Sequence, residues 1–154
     1  MARPHRPRNR RVAIMSERTW SRHSNPWSGW TRTASFPLLF VPPWTRRWWL
    51  AVPIGAWLWL NPRLFPPPKD DAAWMTRGVL GERAWTAEGR RRDLPMLLAV
   101  LSGAADLVAL GLAYRRRFWP TAAFAASGFL LKMWFIDRMV VLYDARRTSS
   151  STLE

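Results

Sequence analysis

A single carboxylate interrupts an otherwise apolar stretch of this chain. Asp106 lies near the middle of Leu94 to Tyr114, a run that holds seven Leu and no other charged residue. At the centre of such a segment an aspartate costs about 2.5 to 3.5 kcal/mol on membrane-insertion scales, so it needs a partner or a proton. The chemistry open to it is that of a proton or cation site. The plainer expectation, a packing residue bonded to Ser127, carries more weight. A second group begins at Lys132, the one charge between Phe118 and Ile136, and continues through Asp137, Arg138, Tyr143 and Asp144. By the topology argued below, His23, Asn25, Arg32, Asn61, Arg63, Arg77, Glu82 and Arg83 fall at the same end of the molecule. Cations gathered from distant stretches can hold a phosphate or carboxylate. Arg63, Arg83, Lys132 and Arg138 are therefore the expected donors to an anion or lipid headgroup, framed by His23, Asn25, Asn61, Glu82, Asp137 and Tyr143. Simple interfacial ion pairs, such as Asp137 with Arg63 or Arg83, are the weightier alternative.

No catalytic residues are expected. The sequence holds no Glu-x-x-His pair, metal triad, Gly-x-Ser-x-Gly turn or phosphate loop. With no cysteine, disulfides and thiolate metal sites are excluded. His5 and His23 both precede the long apolar runs, which argues against a bis-histidine haem within them. Neither a metal nor a cofactor is expected.

The elements that position these residues follow from the apolar runs. Leu94 to Tyr114 and Phe118 to Ile136 are joined by Arg115, Arg116 and Arg117 alone. About 20 apolar residues, at about 1.5 Å each, match a hydrocarbon layer of about 30 Å. Neither run has the polar stripe of a soluble helical hairpin. The three-residue turn makes the two helices antiparallel neighbours. Ser102, Gly103, Ala104, Ala105, Ala109 and Gly111 on one, and Ala122, Ala123, Ala125, Ala126, Ser127 and Gly128 on the other, offer faces for close packing.

Upstream, two shorter apolar segments are broken by Pro37, Pro42, Pro43 and Pro53. They read as two thin spans, or less favourably as a re-entrant hairpin. Pro66 to Pro68 enforce an extended stretch. Asp70 can then cap a short helix ending at Gly78, and Trp74, Gly78, Gly81 and Trp85 share one face suited to lying in lipid headgroups. The fold class expected is thus all-α: a polytopic membrane protein with four, or three, transmembrane helices in two hairpins and a short interfacial helix between them. The boundaries are a disordered basic tail over 1–24, one membrane domain over 25–144 with segments at about 28–44, 46–61, 94–114 and 118–143, and a disordered tail over 145–154.

Charge sets orientation. The formal net charge is +14, and 12 Trp cluster at the ends of apolar runs, where an indole stays half wet. One side of the four-segment topology holds 18 Lys or Arg and the other 5, so both termini and the central loop are expected in the cytoplasm, with the protein in the inner membrane. A basic chain also suits nucleic acid, but much of the excess lies in the first 32 residues and no nucleic-acid-binding motif accompanies it. The Arg-over-Lys bias fits a GC-rich bacterial genome.

Four stretches resemble an uncharacterised family of small prokaryotic integral membrane proteins, a domain of unknown function. These are Asn25-Pro26-Trp27-Ser28, Trp59-Leu60-Asn61-Pro62-Arg63-Leu64-Phe65-Pro66-Pro67-Pro68, Arg77-Gly78-Val79-Leu80-Gly81-Glu82-Arg83 and Lys132 to Met139. The resemblance covers about residues 23–144 and implies the membrane class without an activity. The function expected is a non-enzymatic accessory or interaction subunit, contacting anionic lipid, a membrane partner or another copy of itself at its cytoplasmic face. The alternatives are an oligomeric transporter or channel using Asp106, and a lipid-headgroup enzyme. The Arg-rich residues 1–14 lie outside the resemblance, so translation is expected to begin at Met15 or at Met1. Peptide mapping of natively expressed protein decides this: a start at Met15 yields no peptide across residues 9–14.

Overall fold

Two antiparallel helices, α6 (Leu94–Tyr114) and α7 (Phe118–Ser151), form the spine of the computed structural model. It describes residues 17–89 and 92–151, and among them there are helices, turns and loops but no strand. Asp93 opens α6 by accepting a hydrogen bond from the Met96 amide at 3.1 Å, and Pro95 follows where a missing N–H costs nothing. The tribasic turn closes it, with Arg116 in the left-handed region at φ 55°. In the seam, Leu98, Ser102, Ala109 and Ala113 meet α7, whose buried positions Thr121, Gly128 and Phe135 recur every seven residues. Ser102 donates to the Gly128 carbonyl at 3.1 Å. Only part of the expected small-residue faces lies in this seam. Gly103 and Gly111 look onto open space, and Ala122, Ala123, Ala126 and Ser127 are exposed. The seven-residue spacing of the buried positions on α7 turns the other small residues of that helix away from the seam.

The central stretch folds into one helix, α5 (Trp74–Ala87), which Gly78 does not end. Its Gly and Trp face does not lie outward toward headgroups. A Cβ on Gly78 would strike the Ile136 side chain, and one on Gly81 the Met139 carbonyl. The two glycines let α5 and α7 approach backbone to backbone, which buries the face. Trp85 then packs edge-on to Phe135 at 5.8 Å, and its indole N–H donates to Asp93 at 3.0 Å. Trp85, Leu98, Phe135 and Met139 form the buried core, each contributing about 1.5 to 3 kcal/mol by removal from water.

The carboxyl-terminal stretch corrects the expectation of a disordered tail over 145–154, since α7 remains helical to Ser151. Asp144 pairs with Arg77 at 2.9 Å, Arg147 and the Tyr143 hydroxyl both donate to Asp71 (2.7 and 2.6 Å), and Arg146 pairs with Glu88. These charges clamp the last turns of α7 to α5 and to the loop before it. At the other terminus, Glu17–His23 forms α1, so the expected tail over 1–24 is ordered at least from residue 17. Residues 1–16 and 152–154 lie outside the described part.

The segment over 28–44 is broken rather than continuous. It is divided among α2 (Pro26–Ala34), a 3-10 turn (Phe36–Phe40) and α3 (Val41–Thr45). Pro37, Pro42 and Pro43 remove the donors a single helix would need. Arg46, at φ 56°, reverses the chain into a 3-10 turn (Trp48–Leu50) and α4 (Ala51–Leu64). Among the described residues α6 alone is both long and apolar enough to cross a membrane. The Trp44 to Trp48 corner meets the tribasic turn: Arg116 donates to the Trp44 carbonyl at 3.3 Å, and Arg46 lies over the Tyr114 ring at 5.0 Å.

The glycine contacts predict opposite signs for two substitutions. Gly103→Ala, meeting open space, should raise the melting midpoint through helix propensity, by about 1 kcal/mol at most. Gly81→Leu should cost about 3 kcal/mol, read as a lowered midpoint by circular dichroism in detergent. Equal midpoints would contradict the close α5 and α7 crossing.

Candidate functional site

The site is assembled by a lattice of uncharged polar side chains. Asn25 caps α2, accepting from the Trp27 amide at 2.9 Å, while its own amide donates to the Pro66 carbonyl at 2.9 Å. Ser28 donates to Asn61 Oδ1 at 2.9 Å, and Asn61 Nδ2 donates to the Thr31 hydroxyl at 2.8 Å. Thr76 on α5 donates to the Ser24 carbonyl at 2.8 Å. Ser28, Asn61 and Thr76 are wholly buried, so each bond lost would leave an unsatisfied polar group. The Asn-Pro-Trp-Ser and Asn-Pro-Arg-Leu-Phe-Pro-Pro-Pro stretches thus bind one another, holding α2 against α4 and α5.

Fixed in this way, the next turn of α2 presents Arg32 and Thr33 to a cavity of about 350 Å³. His23 on α1, Arg32 on α2, Glu82 on α5, Asp106 on α6 and Lys132 on α7 all line it. Met75, Phe36 and Phe129 contribute apolar wall. Gly29 leaves room for Met75, and Gly128 leaves room for the Asp106 carboxyl. Five elements therefore bring five titratable side chains to one space.

Electrostatics divide the cavity. Arg32 Nε donates to the Ser28 carbonyl at 3.1 Å and its Nη1 lies 3.5 Å from His23 Nε2. Since guanidinium only donates, this contact assigns the acceptor role to Nε2 and the proton to Nδ1. Burial, then Arg32 and Lys132, lower the His23 pKa to about 4, so the ring is neutral at pH 7. Glu82 acts on Arg32 from across the cavity. Lys132 Nζ rests over the Phe135 ring at 4.6 Å. His23 Nδ1 and Asp106 Oδ1 are buried and lack a hydrogen-bond partner among the described residues. With His23 neutral, Arg32 and Lys132 balance Glu82 and Asp106. A cavity so arranged can bind a group that carries both charges.

Of the four expected anion donors, Lys132 lines this cavity and the other three do not. Arg63 stacks over Trp59 at 4.1 Å, Arg138 pairs with Asp137 at 2.9 Å, and Arg83 borders a separate groove with Tyr143, Arg146 and Arg147. Asn25 and Asn61 belong to the lattice one layer away. Ser127, the partner expected for Asp106, instead donates to the Ala123 carbonyl at 2.9 Å. Arg32 is the residue whose weight sequence reasoning missed. Its signal was a charge one helical turn after Ser28 in an otherwise uncharged stretch.

Among the described residues, fold and site define a small all-helical protein with one span-length apolar helix and a charge-balanced cavity between its helices. The chain belongs to the family of unknown function DUF6653, whose model matches residues 8–153, a wider stretch than the resemblance over 23–144. No curated protein and no solved structure matches it.

The lowered His23 pKa gives stability a pH dependence. Between pH 6.5 and about 4 the unfolded chain takes up a proton that the folded ring refuses, so stability falls as pH falls through that window and is flat above it. The loss is at most about 3 kcal/mol. Melting midpoints between pH 7.5 and 4.5 should decline in the wild type and flatten in His23→Asn.

Proposed function

We propose that this protein is a small integral protein of the cytoplasmic membrane that binds a polar ligand without transforming it, as an accessory or interaction subunit. The observation behind this reading is the surface of α6. Its most apolar window is only 22% buried by the rest of the protein, and Leu97, Val100, Leu101, Leu107 and Val108 are exposed along it. The core helix of a water-soluble protein would be covered. An apolar face of this extent calls for hydrocarbon or a partner. Phe118, Trp119, Phe124 and Leu130 extend it along α7. With α6 and α7 as spans, the broken α2 to α4 stretch packs beside them as two thin crossings or a re-entrant hairpin. The cytoplasmic side is the more basic one, which includes both termini and the loop before α5.

A second reading is a proton or cation path through Asp106, favoured by its unpartnered buried oxygen. In liposomes that path would dissipate a pH gradient in the wild type and not in Asp106→Asn.

The membrane reading is tested by alkaline carbonate extraction and by labelling of an introduced cysteine. The protein should stay in the pellet, and Ala72→Cys in intact cells should react only after permeabilisation. Monodisperse protein in a surfactant-free supernatant would overturn integration, and labelling of intact cells would overturn the orientation.

A further inference from the structure

The cavity does not end at Phe129. A groove of about 350 Å³ begins there, sharing Thr33, Phe36 and Phe129 with it. A further groove of about 450 Å³ continues from Pro37, Phe40 and Ala125 toward Trp44 and Phe118. The channel therefore runs between the 36–45 stretch and α7, from the charged cavity to the tribasic turn. From Phe129 to Phe118 this is about 16 Å of helix. Its floor is Ala122, Ala125 and Ala126, spaced to share one helical face. These are small residues that the α6 seam does not use, and no charged side chain lines either groove. A charge-balanced chamber opening into a smooth apolar furrow is complementary to a molecule with a zwitterionic head and an aliphatic chain.

We propose that the cavity and groove together hold one phospholipid with an aminoalkyl phosphodiester headgroup. The phosphodiester sits between Arg32 and Lys132, the ammonium at Asp106 and Glu82, and one chain lies along the Ala122 to Phe129 face. This rests on the membrane reading above and names its ligand. The charge sum selects the headgroup: a purely anionic one would add a net negative charge to a cavity already balanced, and a zwitterionic one adds none. The bare Asp106 oxygen needs a hydrogen-bond donor, which a primary ammonium supplies and a quaternary one lacks. The Nδ1–H of His23 offers the phosphodiester a further donor.

The test is native mass spectrometry of the full chain ejected from nanodiscs holding equal parts phosphatidylethanolamine, phosphatidylglycerol and phosphatidylcholine. One phosphatidylethanolamine should be retained per chain, in about tenfold excess over either competitor, the scale expected of a charge-assisted hydrogen bond. Asp106→Asn should abolish that preference. Lys132→Gln, at an exposed position, should lower retention of every phospholipid, and Ala125→Trp should do the same by filling the groove. Soluble glycerophosphoethanolamine should compete at least about 100-fold more weakly than the intact lipid, since it lacks the chain. Equal retention of phosphatidylglycerol, no retained lipid, indifference to Ala125→Trp, or equal competition by the soluble headgroup would each overturn the proposal. These failures leave the membrane reading standing. Failure to enter nanodiscs at all would overturn that reading and the proposal with it.

Discussion

The structure depends on the amide of Asn61. It is wholly buried, and its two ends are engaged in opposite roles, Oδ1 accepting from Ser28 and Nδ2 donating to Thr31. Ser28 and Thr31 stand three residues apart on α2, so the amide grips one face of that helix at two points. It therefore fixes the rotation of α2 about its own axis as well as its distance from α4. Arg32 follows one turn later, so its direction into the cavity is inherited from that rotation. The contact between Arg32 and His23 is inherited in turn. A hydrophobic contact in this place would hold the helices together without choosing which side of α2 faces α7.

Glycine performs the complementary task where helices must come close. Gly78 and Gly81 admit α7 to the backbone of α5, and Gly128 makes room for a carboxyl group. The amide lattice ties α2 to α4 and α5, and the glycine contacts bring α5 and α6 against α7. One fixes orientation and the other fixes separation, so the space between is bounded by groups with little freedom to move. This is how a chain of modest length, with its first half broken by prolines, sustains five titratable side chains around one volume.

Much of this was legible in the residues. Two long apolar runs and a three-residue turn leave one arrangement for α6 and α7, and the all-α class follows. Trp74, Gly78, Gly81 and Trp85 were recognisable as one face, but periodicity names a face without naming what covers it. Headgroups and a neighbouring helix leave the same pattern. The clamp at the end of α7 was illegible for a different reason. Arg146 and Arg147 resemble a solvated tail until they are placed beside Glu88 and Asp71, which lie 58 and 76 residues away. Arg63, Arg83 and Arg138 were chosen for their type and their expected end of the molecule. The structure separates them, because sharing an end does not mean sharing a side. Asp106 and Lys132 could be placed by depth alone, since depth along a helix is read directly from residue count.

The length of α7 has a mechanical consequence. Its 34 residues make a rod of about 51 Å, and no proline or glycine occurs between Phe129 and Ser151. Over that stretch the helix has no such joint, so torque and tilt pass from one end of it to the other. The shaft that walls the binding chamber at Lys132 is thus the one gripped at its far tip by Asp71 and Glu88. Gripping that tip also steadies the chamber wall, so whatever engages the tip holds a handle on the chamber.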